Sequence, residues 1–263
     1  MSRPMRVALF TVGGVVAAAS IGTAAYIGLV AVSSHDVKGH NDFLFSGQTL
    51  TITSDGGEIN LVPGDAGVIK VDRTTTESIN GSDPEWELSN GKLRLDTNCP
   101  SFLNLFCDGK YDVQVPKGVD IVVRDDNGSI HVNSLAQNLD LRSDNGSIHV
   151  NDSRVDNLRM ESDNGSISVN RSFVQTLNAS SDNGSFNAHL NSAPVFVKAS
   201  SDNGSLKLYV PEGPETYKIS ASTDNGSKDI GSVRTAPDGR PVTLSSDNGS
   251  VKMGYWTPPP AAQ

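Results

Sequence analysis

The tetrapeptide Asp-Asn-Gly-Ser occurs seven times, beginning at Asp126, Asp144, Asp163, Asp182, Asp202, Asp224 and Asp247. The steps between copies are 18, 19, 19, 20, 22 and 23 residues. Ser54-Asp55-Gly56-Gly57-Glu58-Ile59 reads as a degenerate earlier copy. Near-constant spacing of this kind marks a chain built by stacking one small unit on the next.

Aligned on the Asn, the copies show what the unit is. Six residues earlier stand Ile121, Leu139, Leu158, Leu177, Val197, Ile219 and Val242, and the column four earlier is apolar throughout. Three residues after the Asn come Ile130, Ile148, Ile167, Phe186, Leu206, Lys228 and Val251, and the column five after is again apolar. The pattern alternates with period two on both sides of the Asn-Gly step, so each copy is a strand, a corner and a strand. One such unit cannot bury its apolar face, whereas stacked units can. The expected fold is therefore all-β, a parallel β-solenoid with about seven Asp-Asn-Gly-Ser rungs. A hairpin meander is the competing arrangement, because Asn-Gly also closes hairpins. The constancy of rung length and corner favours the solenoid.

At the corner, Gly and Asn both tolerate positive φ, which explains the dipeptide. Inward positions precede the Asn at even spacing and follow it at odd spacing. The column two before the Asn (Asp125, Ser143, Ser162, Ser181, Ser201, Thr223 and Ser246) shares the inward parity. This parity predicts Ser and Asn ladders inside the corner, hydrogen-bonded along the axis. The Asn ladder would comprise Asn127, Asn145, Asn164, Asn183, Asn203, Asn225 and Asn248. Lys228 breaks an apolar column, and a buried ammonium is costly. Its repeat is expected to bulge or turn outward.

The region 43–120 is less regular and reads as an irregular β region and cap, with strands at 49–53, 68–74, 92–96 and 111–115. The regular solenoid then covers 121–256, and 257–263 is a Pro-rich tail. Cys99 and Cys107 lie in the cap region. In an exported chain a close pair is expected to form a structural disulfide.

Export is indicated by the start of the chain. Arg3 and Arg6 precede an uncharged stretch from Val7 to Val32, 26 residues long. About 20 apolar residues suffice to cross a hydrocarbon core as a helix, and a signal-peptide apolar region is shorter, roughly 7–15 residues. Residues 1–32 are therefore read as a cytoplasmic stub and transmembrane anchor, followed by a polar linker at 33–42. The two arginines place the N-terminus in the cytoplasm and the rest of the chain outside. A cleaved signal peptide ending near Thr23-Ala24-Ala25 is the alternative, and under either reading the remainder is exported.

Net charge is −9, with no Lys/Arg cluster after residue 40, so no nucleic-acid footprint is present. No nucleophile motif and no Gly-rich phosphate loop occurs, and no acidic pair stands apart from the repeating Asp. No catalytic residue, cofactor or metal site is assigned. The Asp column could in principle hold calcium, since stacked carboxylates repel; the stronger reading is solvated turn formers. His131 and His149 fall on consecutive rungs and are expected to be surface neighbours.

The repeated Asp-Asn-Gly-Ser-Ile, and Val-Pro-Lys-Gly-Val-Asp-Ile-Val-Val from Val115 to Val123, resemble the bacterial putative-adhesin β-strand-repeat family, a domain of unknown function in envelope proteins. The likeness covers most of the chain after residue 43. It implies a β-solenoid and carries no catalytic residue or ligand. The expected function is a membrane-anchored, extracellular, adhesin-like structural or interaction module of the bacterial cell envelope. Its partners would be the membrane and a cell-wall glycan or envelope protein. The alternatives are a polysaccharide-binding or -processing β-helix protein and an accessory component of an envelope-stress sensing system.

Overall fold

A computed structural model describes residues 35–77, 85–97 and 109–258. The stretch Val7–Val32 expected to be an anchor, both cysteines of the expected disulfide and most of the Pro-rich tail lie outside the described residues. Among the described residues there are twenty strands and no helix.

The chain begins with β1 (His35–Leu44), β2 (Thr49–Ser54), β3 (Glu58–Pro63), β4 (Val68–Glu77) and β5 (Glu85–Ser89). It continues through β6 (Lys92–Asp96), β7 (Gly109–Val115), β8 (Asp120–Asp125), β9 (Ile130–Asn133), β10 (Leu139–Ser143) and β11 (Ile148–Asn151). Then come β12 (Arg154–Ser162), β13 (Ile167–Ser181), β14 (Phe186–Leu190), β15 (Phe196–Ser201) and β16 (Leu206–Pro211). The last are β17 (Tyr217–Thr223), β18 (Lys228–Ile230), β19 (Arg240–Ser246) and β20 (Val251–Trp256).

Each repeat places one strand before the corner and one after it. Equivalent residues pair in parallel, as Leu139 with Ile121 and Leu158, and Ile148 with Ile130 and Ile167. The strands before the corner form one sheet in the order β5–β6–β2–β8–β10–β12–β13–β15–β19–β17. Those after it form the facing sheet, β1–β4–β7–β3–β9–β11–β13–β14–β16–β20–β18. The long β13 serves both sheets. This is a parallel β-solenoid, and the meander is excluded by the parallel register.

The alternating residues interlock in a single core. Leu50, Ile52, Leu61, Val123, Val132, Leu141, Val150, Leu206 and Leu244 are fully buried. Volume is balanced within a rung: the small Ala179 shares its rung with the bulky Phe186, both buried.

Rung order is not chain order at either end. The sixth repeat, β17–β18, is outermost, and the seventh, β19–β20, returns to fill the place between it and the fifth. At the other end β2–β3 lies between β6–β7 and β8–β9, so β6–β7, later in sequence, is the outer rung. The β2–β3 rung and the last repeat, β19–β20, are thereby each paired on two sides.

Two expectations change. The polar linker at 33–42 is largely strand: β1 pairs along its whole length with β4, antiparallel, from His35↔Glu77 to Leu44↔Val68. It covers the edge of β4, which itself covers the outer edge of β7, so the two strands cap this end of the stack. Trp86 on β5 reaches across this end, with the Arg73 guanidinium 4.4 Å from its ring centre. Lys228 is exposed, as expected, but not through a bulge. It pairs in register with Val251 and lies in the terminal rung, where no further rung covers it.

Candidate functional site

The corner carrying Asp-Asn-Gly-Ser is the most regular surface of the molecule, and its chemistry can be followed group by group. A sheet cannot continue round a corner, so backbone groups there need other partners. In the second repeat, Asp144 N and Asn145 N donate to the carbonyls of Asp125 and Asp126 one rung back, at 3.0 and 3.1 Å. Gly146 N donates to the Oγ of Ser143 at 2.8 Å. That hydroxyl donates in turn to the carbonyl of Gly128 on the preceding rung, at 2.9 Å. Ser147 N donates to Ser129 Oγ at 3.2 Å. The same inner bridge recurs through Ser162, Ser181 and Ser246. These serines are buried.

The glycine has a different reason from the one expected. None of the seven repeat glycines has positive φ. A Cβ built on any of them would instead overlap the carbonyl oxygen of the corner glycine on the neighbouring rung. Positive φ occurs at the opposite corner, on Ser134 (59°), Asp152 (51°) and Arg171 (49°), which stack on successive rungs.

The Asn side chains are on the outside of the corner, not inside as parity suggested; all seven are exposed. Each amide nitrogen donates to the Oδ1 of the next Asn along the axis. The chain runs Asn145 to Asn127 (3.0 Å), Asn164 to Asn145 (2.9 Å), Asn183 to Asn164 (2.9 Å) and Asn203 to Asn183 (2.9 Å). It closes through Asn248 to Asn203 (3.0 Å) and Asn225 to Asn248 (2.9 Å), following the permuted rung order. Asn127 ends the series on the Asp55 carbonyl at 3.0 Å.

Beside this row run the repeat Asp and the outer Ser. Arg142 reaches Asp144 (3.2 Å), Glu161 (3.0 Å) and Asp163 (3.6 Å). Those acids, the Asp144 hydrogen bond first, hold its pKa above the ordinary arginine value. Asp182, Asp202, Asp224 and Asp247 make no ion pair among the described residues, so the ridge is bare carboxylate over half its length. No three His, Cys, Asp or Glu side chains converge to hold a metal ion among the described residues.

Three features escaped the sequence reading. A second amide row on the facing sheet links Asn170 to Asn151 and Asn151 to Asn133 at 3.3 Å, then Asn133 to Asn60 at 2.9 Å. Its signal was the recurring Asn three residues after each inward Ile of the early repeats. Asp125 stands where most other rungs have the buried Ser and the sixth repeat has Thr223; it is 2% exposed, and neither carboxylate oxygen makes a hydrogen bond of good geometry. Burial pushes its pKa up to about 6, opposed by the Ser54 hydroxyl and the Gly128 N–H. The third is a set of rings: His189 stacks on Tyr209 with centres 4.8 Å apart, and Trp256 meets His189 edge-on at 5.2 Å. His131 and His149, by contrast, were expected as neighbours on consecutive rungs, and they stack at 4.8 Å.

Residues 108–253 match the family described as Toastrack DUF4097. The sequence matches no curated protein. Among solved structures, a putative adhesin from Bacteroides fragilis is similar at 15% identity, covering 84% of this chain and 97% of that one, with a TM-score of 0.58. A putative adhesin from Parabacteroides distasonis is similar at 12% identity, covering 82% and 97%, with a TM-score of 0.52. At these identities the likeness establishes the fold.

Proposed function

The chain belongs to the Toastrack DUF4097 family, and from that premise we propose that it is a non-catalytic binding module held at the outer side of a bacterial membrane by Val7–Val32. The observation that carries this reading is the Asn-Asp-Ser ridge. Identical donors and acceptors repeat at every rung, about 4.8 Å apart, on a scaffold whose corner groups are all tied to neighbouring rungs. A surface with that repeat suits a polymer with a repeat of its own, such as a cell-wall glycan, bound by many weak contacts. The bare carboxylates at Asp182, Asp202 and Asp247 accept hydrogen bonds from sugar hydroxyls, and the outer serines can both donate and accept. The columns are uniform, whereas a hydrolase needs an acid and a base set apart in pKa and aimed at one bond. The adhesin names given to the similar solved structures agree with a binding role.

The test is co-sedimentation of the full-length chain, in proteoliposomes, with insoluble cell-wall glycan. Binding above that of liposomes carrying only an unrelated single-pass anchor is expected. It should fall at least about tenfold when Asp182, Asp202 and Asp247 are changed together to Ala, as loss of several repeated contacts implies. Sedimentation no greater than the anchor control would overturn the reading. Carbonate extraction of membranes tests the anchor: the chain should stay in the pellet, and release into the supernatant contradicts a retained helix.

A further inference from the structure

The ring cluster on the sheet formed by the post-corner strands stops abruptly, and the way it stops has the shape of a site. His189, Tyr209 and Gly254 are register partners on three adjacent strands, β14, β16 and β20. One face of the Tyr209 ring is covered by His189, stacked at 4.8 Å and 15° from parallel. The other face is directed along the column towards Gly254, which has no side chain to cover it. The next strand, β18, ends at Ile230, and the residue that continues it across from Gly254 is Gly231. A Cβ on Gly231 would lie 3.9 Å from the Gly254 Cα. Two successive glycines thus place no side chain beside the half-buried Tyr209 ring for up to two register positions, roughly 9.6 Å along the axis, and this is the gap.

The borders of the gap are polar and fixed. Lys252 and Trp256 flank Gly254 on the same outward side of β20. The Lys252 ammonium is held 2.9 Å from the Asp229 carboxylate, which neutralises it and leaves donor and acceptor capacity at the rim. The indole N–H of Trp256 donates to the Leu190 carbonyl at 2.7 Å, which pins that ring beside His189. An aromatic face with a neutral donor–acceptor pair at its edge is complementary to a pyranose. The axial C–H groups lie on the ring, and the equatorial hydroxyls reach the Lys252–Asp229 pair. A purely aromatic ligand would leave that polar rim without a partner.

We propose that the gap over Gly254 and Gly231 is a sugar subsite, in which one hexopyranose of a β-1,4-linked glycan continues the His189–Tyr209 stack. The inference rests on the glycan-binding reading above and adds to it a defined point where the polymer is registered on the ridge-bearing rod.

The experiment uses the full-length chain in detergent micelles and isothermal titration with a β-1,4-linked N-acetylglucosamine tetrasaccharide, alongside the co-sedimentation with insoluble glycan. Gly254→Val fills the gap from an outward strand position; its Cβ would make ordinary contact with the Tyr209 ring at 3.5 Å, and the melting temperature reports whether the fold is kept. Tetrasaccharide affinity should fall at least about tenfold in Gly254→Val and in Tyr209→Ala. It should be retained in Tyr209→Phe and in His131→Ala, which lies on the same sheet away from the gap. Melting temperatures of Gly254→Val and wild type should agree. Equal affinity of wild type and Gly254→Val, or no heat with the tetrasaccharide while insoluble glycan is still bound, overturns the subsite and leaves the module reading standing. Failure of the wild type to bind either ligand overturns both.

Discussion

The corner is held by one hydroxyl and one missing methyl group. Ser143 Oγ accepts from Gly146 N and donates to the Gly128 carbonyl, and Gly146 has no Cβ because that carbonyl occupies the space. The dipeptide Asn-Gly was legible as a corner, but its physical reason was not. Positive φ does operate at Asn90 (50°) and Gly91 (77°), which join β5 to β6 as a two-residue hairpin. In the repeats the same two residues serve close approach and amide stacking instead, a distinction that depends on a neighbour many residues away. Gly165→Ala should therefore cost roughly 3 kcal/mol through overpacking against backbone that cannot retreat. Gly56→Ala should be near neutral, because its Cβ would sit 3.7 Å from the Asn127 Cβ. Urea denaturation of the two variants checks the contrast. Gly56 also occupies the Asn column of the degenerate first copy. Gly56→Asn should extend the amide ladder by one member and raise stability by about 0.5–1 kcal/mol, read as an increase in the urea midpoint.

Asp125 is the exception to the serine column, and it makes a pH-dependent prediction. Its folded pKa is pushed up to about 6 from the ordinary 3.8, by burial first and by the neighbouring Asp126 as well. The folded chain therefore holds this proton more tightly than the unfolded one. The associated stabilisation is complete below about pH 4 and is lost as pH rises to about 6. Tyr111, Asp55, Asp96 and Arg73 belong to the same end of the rod and share its field. Asp125→Ser restores the bridging hydroxyl. It should raise the melting temperature at pH 7 and abolish that slope between pH 4 and 6. The opposing effect of His149 should remain, since burial and then His131 lower its pKa, and its stabilisation is present above the ordinary 6.5 and lost as pH falls from there through the lower folded value. A melting temperature at pH 7 equal to or below that of wild type would contradict this account.

At the scale of the strand, the notable feature is the order in which rungs are stacked. The terminal steps of 22 and 23 residues are longer than the 18–20 of the earlier repeats. The surplus residues, 212–216 and 231–239, carry the chain past one rung and back again. That signal was present in the spacing, but a longer loop alone does not specify what it skips. Strand alternation was legible wherever one face is buried. β1 was not, because no inward apolar run marks it; its residues alternate between half-buried and exposed, and only pairing with β4 makes it a strand. The permuted order predicts an inverted pattern of amide hydrogen exchange. β19 and β20, although last in sequence, should be protected like the central rungs, and β17 and β18 should exchange fastest among the repeats. Fastest exchange in β20 would indicate stacking in simple chain order.

The described residues form a rod of nine rungs, about 40 Å long at roughly 4.8 Å per rung, with each long surface bearing a different column chemistry. In the proposed function its Asn-Asp-Ser ridge would supply avidity, and the proposed subsite over Gly254 near one end would supply registry. Most of the ridge could be read directly from the repeats. The ring cluster could not, because His189, Tyr209 and Trp256 come from different repeats and meet only after stacking. Everything above depends on which rungs are neighbours. The most direct test is paired cysteine substitution at outward positions of the pre-corner sheet, followed by mild oxidation and peptide mapping. Ser200 and Ser245 are register partners on β15 and β19, so Ser200→Cys with Ser245→Cys should cross-link, adjacent Cα atoms lying within disulfide range of about 4.4–6.8 Å. Ser200→Cys with Ser222→Cys, two rungs apart at roughly 9.6 Å, should not. The reverse pattern would contradict the permuted stack, and absence of both cross-links would contradict the solenoid itself.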